Sequence, residues 1–98
     1  MKLYIYESSR PDKRLVAIFV DENDIIKFTS NFGSKHGSTF IDHGDIIKRS
    51  NYLKRHSALN ENWDDYKSAG SLSRWILWGP SDNIETNIKA FKKQFNLQ

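Results

Sequence analysis

Apolar and polar positions alternate at the start of the chain and change period after its middle. In residues 2–7, Leu3 and Ile5 interleave with Tyr4 and Tyr6, the two-residue period of a strand. Residues 14–20, RLVAIFV, form a short apolar run rich in β-branched side chains, suited to a central strand. Residues 25–29, IIKFT, read as a third strand. Pro11-Asp12 marks a turn before the second strand, and Asp21-Glu22-Asn23-Asp24 is a connection of hairpin length before the third. Short connections join antiparallel neighbours, so the pattern predicts a three-stranded antiparallel meander.

Residues 30–44, SNFGSKHGSTFIDHG, form the main loop, with Phe32 and Phe40 as its anchors to the core and Thr39-Phe40-Ile41 as a candidate fourth strand. From Asp45, an N-cap residue type, a helical period runs to about His56. Ile46, Ser50 and Leu53 share one face of this helix, and Arg49, Tyr52 and His56 share another. Residues 57–68 are acidic and polar, with Trp63 and Tyr66 as anchors. Leu72, Trp75, Ile76, Leu77 and Trp78 then fall within seven residues, with Arg74 among them. Gly79-Pro80 cannot continue a helix, so this segment reads as a short buried one. Ile84, Ile88, Phe91 and Phe95 recur as one apolar stripe of a last helix, with Asp82 and Glu85 spaced as a capping box at its start. Strands first and helices after predict an α+β fold, the meander followed by about three helices packed on one sheet face.

At 98 residues the chain is of single-domain length, 1–98, with room for one modest core. The 13% aromatic content helps to fill it. There is no cysteine, hence no disulfide and no thiolate chemistry. No apolar run approaches the ~18 residues of a membrane span, and the first strand lacks the apolar core of a signal peptide. These features predict a soluble intracellular protein. Net charge is a mild +3, but the bases are clustered, a pattern that permits anion binding.

The strongest candidate site is the set Lys48, Arg49, Tyr52, Arg55 and His56, together with Lys54 and extended by Arg10, Lys13 and Arg14 of the first turn. Bases interleaved with an aromatic suit phosphate contacts plus stacking on bases, as in nucleic-acid binding. The competing expectation is a solvated helix face paired with the acidic segment, for instance through Glu61 or Asp64. Gly33-Ser34-Lys35-His36-Gly37-Ser38 resembles a phosphate cradle but lacks the Lys-Ser/Thr pair of a P-loop. His36, His43 and His56 have no spacing that sets two ligands on one helix face, so no metal and no cofactor are expected. No G-x-S-x-G elbow accompanies the serines, and no catalytic residue is assigned. Arg74 with Trp75 and Trp78 is a candidate protein interface.

Several motifs in order resemble an uncharacterised family of small proteins encoded by large nucleocytoplasmic DNA viruses. They are Ser9-Arg10-Pro11-Asp12-Lys13-Arg14, Phe32-Gly33, Asp42-His43 with Asp45, Lys48-Arg49 with Tyr52-Leu53 and Arg55-His56, Glu61 with Trp63, Ala69-Gly70, and Leu72 to Trp78. Phe91-Lys92-Lys93-Gln94-Phe95 closes the series, with Gln94 where a base is expected. The resemblance implies a viral protein made in the host cytoplasm or nucleus and a candidate for packing in the virion. It implies no activity. It also implies that Arg10, His43, Arg49, Tyr52, Arg55, His56, Trp63, Gly70 and Arg74 belong to the family pattern. The functional expectation is a non-enzymatic module that binds nucleic acid or another polyanion. A minor virion structural or protein-interaction component is the alternative, and a small enzyme or metal-binding protein the second alternative.

Overall fold

Alternation along the first three apolar runs is converted directly into a sheet. The computed structural model describes all 98 residues. Strands β1 (Lys2–Glu7), β2 (Lys13–Val20) and β3 (Ile26–Ser34) form an antiparallel sheet in the order β1-β2-β3. The pairings Leu3–Phe19, Ile5–Ala17, Leu15–Phe32 and Phe19–Phe28 put the larger apolar side chains on one face. The opposite face stays uncovered, with Tyr4, Tyr6 and Ile26 exposed. The chain end returns to the sheet, where Leu3 N donates to Gln98 O at 2.8 Å and Gln98 N to Met1 O at 2.9 Å.

The third strand is longer than residues 25–29 and includes Ser30, Asn31 and Phe32. Ser30 and Asn31 read as loop, but their backbone pairs with β2, and Asn31 Oδ1 accepts a hydrogen bond from Ser8 Oγ at 2.6 Å. Tertiary pairing thus overrides local preference.

Four helices follow. Residues Phe40–His43 are helix α1, not a fourth strand. The Thr39 N–H and O–H both donate to Asp42 Oδ2, at 2.8 and 3.0 Å, and Gly44 ends the turn at φ 64°. Helix α2 (Ile46–Ser57) starts at Asp45, whose carboxylate accepts from the N–H groups of Ile47 and Lys48. Its docked face is Arg49, Tyr52 and His56, whereas Ile46 and Ile47 are 75% and 73% exposed. Helix α3 (Ala69–Leu72) begins at Ser68 and runs into a π-helical turn, Ser73–Leu77. Helix α4 (Ile84–Gln94) is capped by Asn83 rather than Asp82, because the Asn83 side chain accepts from Thr86 N at 3.0 Å.

The core joins Leu3, Ala17, Phe19 and Phe32 of the sheet to Leu72, Ile76, Leu77 and Phe91 of the helices. No helix is long and apolar enough to cross a membrane.

Between the π-turn and α4, one buried polar residue sets the path of the chain. Asn87 is fully buried; its Nδ2 donates to Ile76 O at 3.0 Å and Ser81 O at 2.7 Å, and its Oδ1 accepts from Ser81 N at 3.0 Å. Gly79 sits inside this clamp, where an added Cβ would lie 2.2 Å from Trp75 O and 2.6 Å from Asn87 Cγ. Backbone on one side and a committed amide on the other leave no room to yield. Gly79→Ala is therefore expected to lower unfolding free energy by about 2 kcal/mol or more, within the upper range of overpacking costs, in urea titration. A change under ~0.5 kcal/mol would show that the turn relaxes freely.

Candidate functional site: a cationic cleft between the glycine loop and helix α2

The ring of Trp78, at the end of the π-turn, supplies the floor on which the site is built. Tyr52 stacks on it with centroids 4.2 Å apart and planes 4° from parallel. His56, one helical turn on from Tyr52, stacks on the tyrosine's other side at 4.1 Å. The edge of His43 meets Trp78 at 5.5 Å. Offset and edge-on contacts of this kind suit the quadrupoles of aromatic rings. The face Arg49–Tyr52–His56 thus docks α2 through the rings, while on the other face Ile46 is exposed and Ser50 and Leu53 are half-buried.

Around that floor lies a cleft of about 550 Å³. Lys13 enters it from β2, Arg55 and His56 from α2, and Ser73 from the π-turn. Gly33, Ser34, Gly37 and Ser38 of the glycine loop form the opposite wall. Gly33 needs its φ of +78°, and a Cβ there would lie 2.7 Å from Leu77 Cδ1, so only glycine allows this close approach. The volume is within the range of small-ligand sites.

Glu61 fixes the histidine. Its Oε1 lies 2.9 Å from His56 Nδ1, and its Oε2 accepts from Trp63 Nε1–H at 2.9 Å. Burial works against the Glu61 charge, but the hydrogen bonds from His56 and then Trp63 outweigh it and hold the carboxyl below the ordinary glutamate range. His56 Nε2 has no hydrogen-bond partner in the protein and is not sealed from solvent. Burial pushes the Tyr52 hydroxyl up to about 12, with Glu61 adding to the effect and Arg74 and Arg55 opposing it. It therefore remains an O–H donor at neutral pH.

The other sequence candidates divide. Lys48 and Lys54 are exposed on α2, and Arg10 is exposed in the first turn, 3.5 Å from Asp12. Arg14 makes a bidentate pair with Asp42, at 2.6 and 2.7 Å. Arg14's hydrogen bond, against the cost of burial, holds the Asp42 carboxyl well below the usual range. Arg49 Nε donates to the carbonyls of Trp78 and Gly79, at 3.2 and 2.8 Å. Tyr52 is only 6% exposed and already stacked on both faces, so it is not a free platform for bases. No group of three or more His, Asp or Glu side chains converges as metal ligands would. In the sequence, Glu61 stood out as a pairing partner and as a motif residue beside Trp63, and Ser73 only as part of the Leu72–Trp78 motif; neither was a site candidate. The five-residue step from His56 crosses the end of α2, and no local period marks it.

A family model described as a family of unknown function, DUF5754, matches residues 3–56, more than half of the chain. The chain belongs to that family. In this DUF5754 member the matched span ends at His56 and so contains Lys13, the glycine loop, Arg55 and His56, while Glu61, Ser73 and Trp78 lie beyond it. No curated protein and no solved structure matches the chain.

Arg74 lies outside the cleft and is engaged within the protein. Its guanidinium lies 4.0 Å from the Trp75 ring centroid and 5.2 Å from that of Trp63, and its Nη1 donates to Trp78 O at 3.2 Å. Burial, with nearby Arg49, lowers its pKa. Trp75 and Trp78 are themselves half-buried, the former donating its indole N–H to Trp63 O at 3.0 Å. Arg74→Ala is therefore expected to lower thermal stability, by about 1–3 kcal/mol for a lost charged hydrogen bond and cation–π contact. Unchanged melting combined with lost self-association would instead assign Arg74, Trp75 and Trp78 to an interface.

Proposed function

We propose that this protein binds a phosphate-bearing ligand, a single-stranded nucleic acid by preference, with one phosphate held in the cleft by Lys13, Arg55 and the glycine loop. The observation that carries the reading is convergence. Two cations, half-buried Lys13 and exposed Arg55, with an imidazole and the residues Ser34, Ser38 and Ser73, line one cleft of about nucleotide size. The only carboxylates on its wall are Asp12, near Arg10, and Glu61, bonded to His56 and Trp63. Charged and hydroxyl donors around a glycine-rich loop are the chemistry that phosphate oxygens need. Lys35, Lys48 and Lys54 are exposed and supply further charge for a longer polyanion.

The viral setting belongs to the same proposal, and with it the host cytoplasm or nucleus, or the virion, as the place of action. A non-enzymatic accessory role is the minimal form of the reading. The interface alternative draws less support, because Arg74, Trp75 and Trp78 are engaged within the protein.

Trp78 lines the cleft, so intrinsic fluorescence reports occupancy. Binding to single-stranded oligonucleotides is expected to weaken steeply with salt. Arg55→Ala and Lys13→Ala should each weaken it and reduce the log–log salt slope by roughly 0.7, whereas Lys48→Ala should act less. Binding that responds to Lys48→Ala but not to the cleft variants would move the site to the exposed helix face. No binding at low salt would overturn the proposal.

A further inference from the structure

The His56–Glu61 pair is better built than phosphate binding requires. Glu61 is held through both oxygens, one by His56 Nδ1 and one by the Trp63 indole, each at 2.9 Å. Its carboxylate also packs over Gly70, where an added Cβ would lie 3.5 Å from it. The imidazole plane is set independently by its stack on Tyr52, itself stacked on Trp78. A carboxylate on Nδ1 selects the tautomer with the proton on that nitrogen and leaves the Nε2 lone pair free. Nε2 is unpartnered, and the residue lines the cleft that holds Arg55, Lys13 and the glycine loop. A simple cationic contact needs none of this orientation; a general base needs all of it.

We infer that the cleft is a ribonucleolytic site in which His56, oriented by Glu61, is the general base for cleavage of an RNA phosphodiester bond. The inference rests on the phosphate-binding reading. RNA is selected over DNA by the missing nucleophile. His56 has Glu61 as its one hydrogen-bond partner, and no serine of the cleft bonds to it, so no hydroxyl of the protein is activated. An RNA substrate brings its own nucleophile, the 2′-hydroxyl.

The step balances without a further reactant. His56 Nε2 takes the 2′-hydroxyl proton, and the 2′-oxygen forms a bond to phosphorus. The bond from phosphorus to the 5′-oxygen breaks, and that oxygen takes a proton from the Lys13 ammonium. The products are a 2′,3′-cyclic phosphate and a free 5′-hydroxyl. Arg55 faces the charge that builds on the non-bridging oxygens. Solvent returns the proton from His56 to Lys13.

The test incubates the purified protein with a fluorescently labelled single-stranded RNA, the same strand with 2′-deoxy sugars, and a chimera with one ribose. Cleavage of the RNA and of the chimera at its ribose, with a cyclic phosphate end seen by mass spectrometry, is the expected result. The all-deoxy strand should bind and stay intact. His56→Ala should lower the cleavage rate about 10²–10⁴-fold, the usual share of general-base catalysis, while binding weakens far less. Glu61→Gln, which keeps the shape of the side chain, should lower the rate with KM little changed, and it covers the case in which His56→Ala fails to fold. RNA bound but uncleaved would overturn the catalytic inference and leave the binding proposal standing. Absence of RNA binding would overturn both. Cleavage that copurifies unchanged with His56→Ala and Glu61→Gln would also overturn the inference, because it would come from a contaminant.

Discussion

The contact on which the docking of α2 depends is the parallel, offset stack of Tyr52 on Trp78. Trp78 ends a π-helical turn whose preceding residues, Ile76 and Leu77, are buried against the sheet. Tyr52 is the only residue of α2 that is buried. The stack therefore joins a helix that buries no aliphatic side chain fully to a segment whose Ile76 and Leu77 lie in the core. Arg49 reinforces the joint by donating to the carbonyls at the end of the turn, which a wider π-turn leaves without intrahelical partners. A charged residue is here an element of docking rather than a surface feature.

The same joint creates the cleft. Because α2 is held by its Arg49–Tyr52–His56 face, Arg55 and His56 are brought opposite the glycine loop, and Lys48 and Lys54 are left outside. The loop can approach so closely because Gly33 has no side chain to meet Leu77. One packing decision thus divides a basic sequence cluster into exposed Arg55 and half-buried His56, which line the cleft, and Lys48 and Lys54, which do not. The proposed binding and the inferred chemistry both follow from that division.

Much of the fold was legible because it rests on strong local periods. The meander, the α2 cap at Asp45 and the stripe Ile84–Ile88–Phe91–Phe95 are each written in consecutive residues. What was not legible depends on partners distant in sequence. Ser30 and Asn31 read as loop until β2 pairs with them. Thr39-Phe40-Ile41 has strand-like residues, yet Thr39 and Asp42 form a capping box that starts a helix there. Two faces of α2 stood open in the sequence, and the rings beneath the helix decide for the one that carries Tyr52. In the site, Lys13, Arg55, His56 and the glycine loop were visible as residue types, and their meeting was not. The role of Glu61 was hidden because the contact crosses a helix end, and Arg14 and Arg49 gave no sign of being spent on Asp42 and on backbone carbonyls.

The claim that unites fold and function is that the glycine loop, Lys13 and the end of α2 form one anion site. Amide and imidazole NMR shifts during titration with a short single-stranded RNA test it most directly. The account predicts that the largest shifts map to Lys13, Gly33–Ser38, Arg55, His56 and Ser73, with the Trp78 indole responding and the uncovered sheet face silent. Shifts confined to Lys48, Lys54 and Arg10, or centred on Tyr4 and Tyr6, would contradict it.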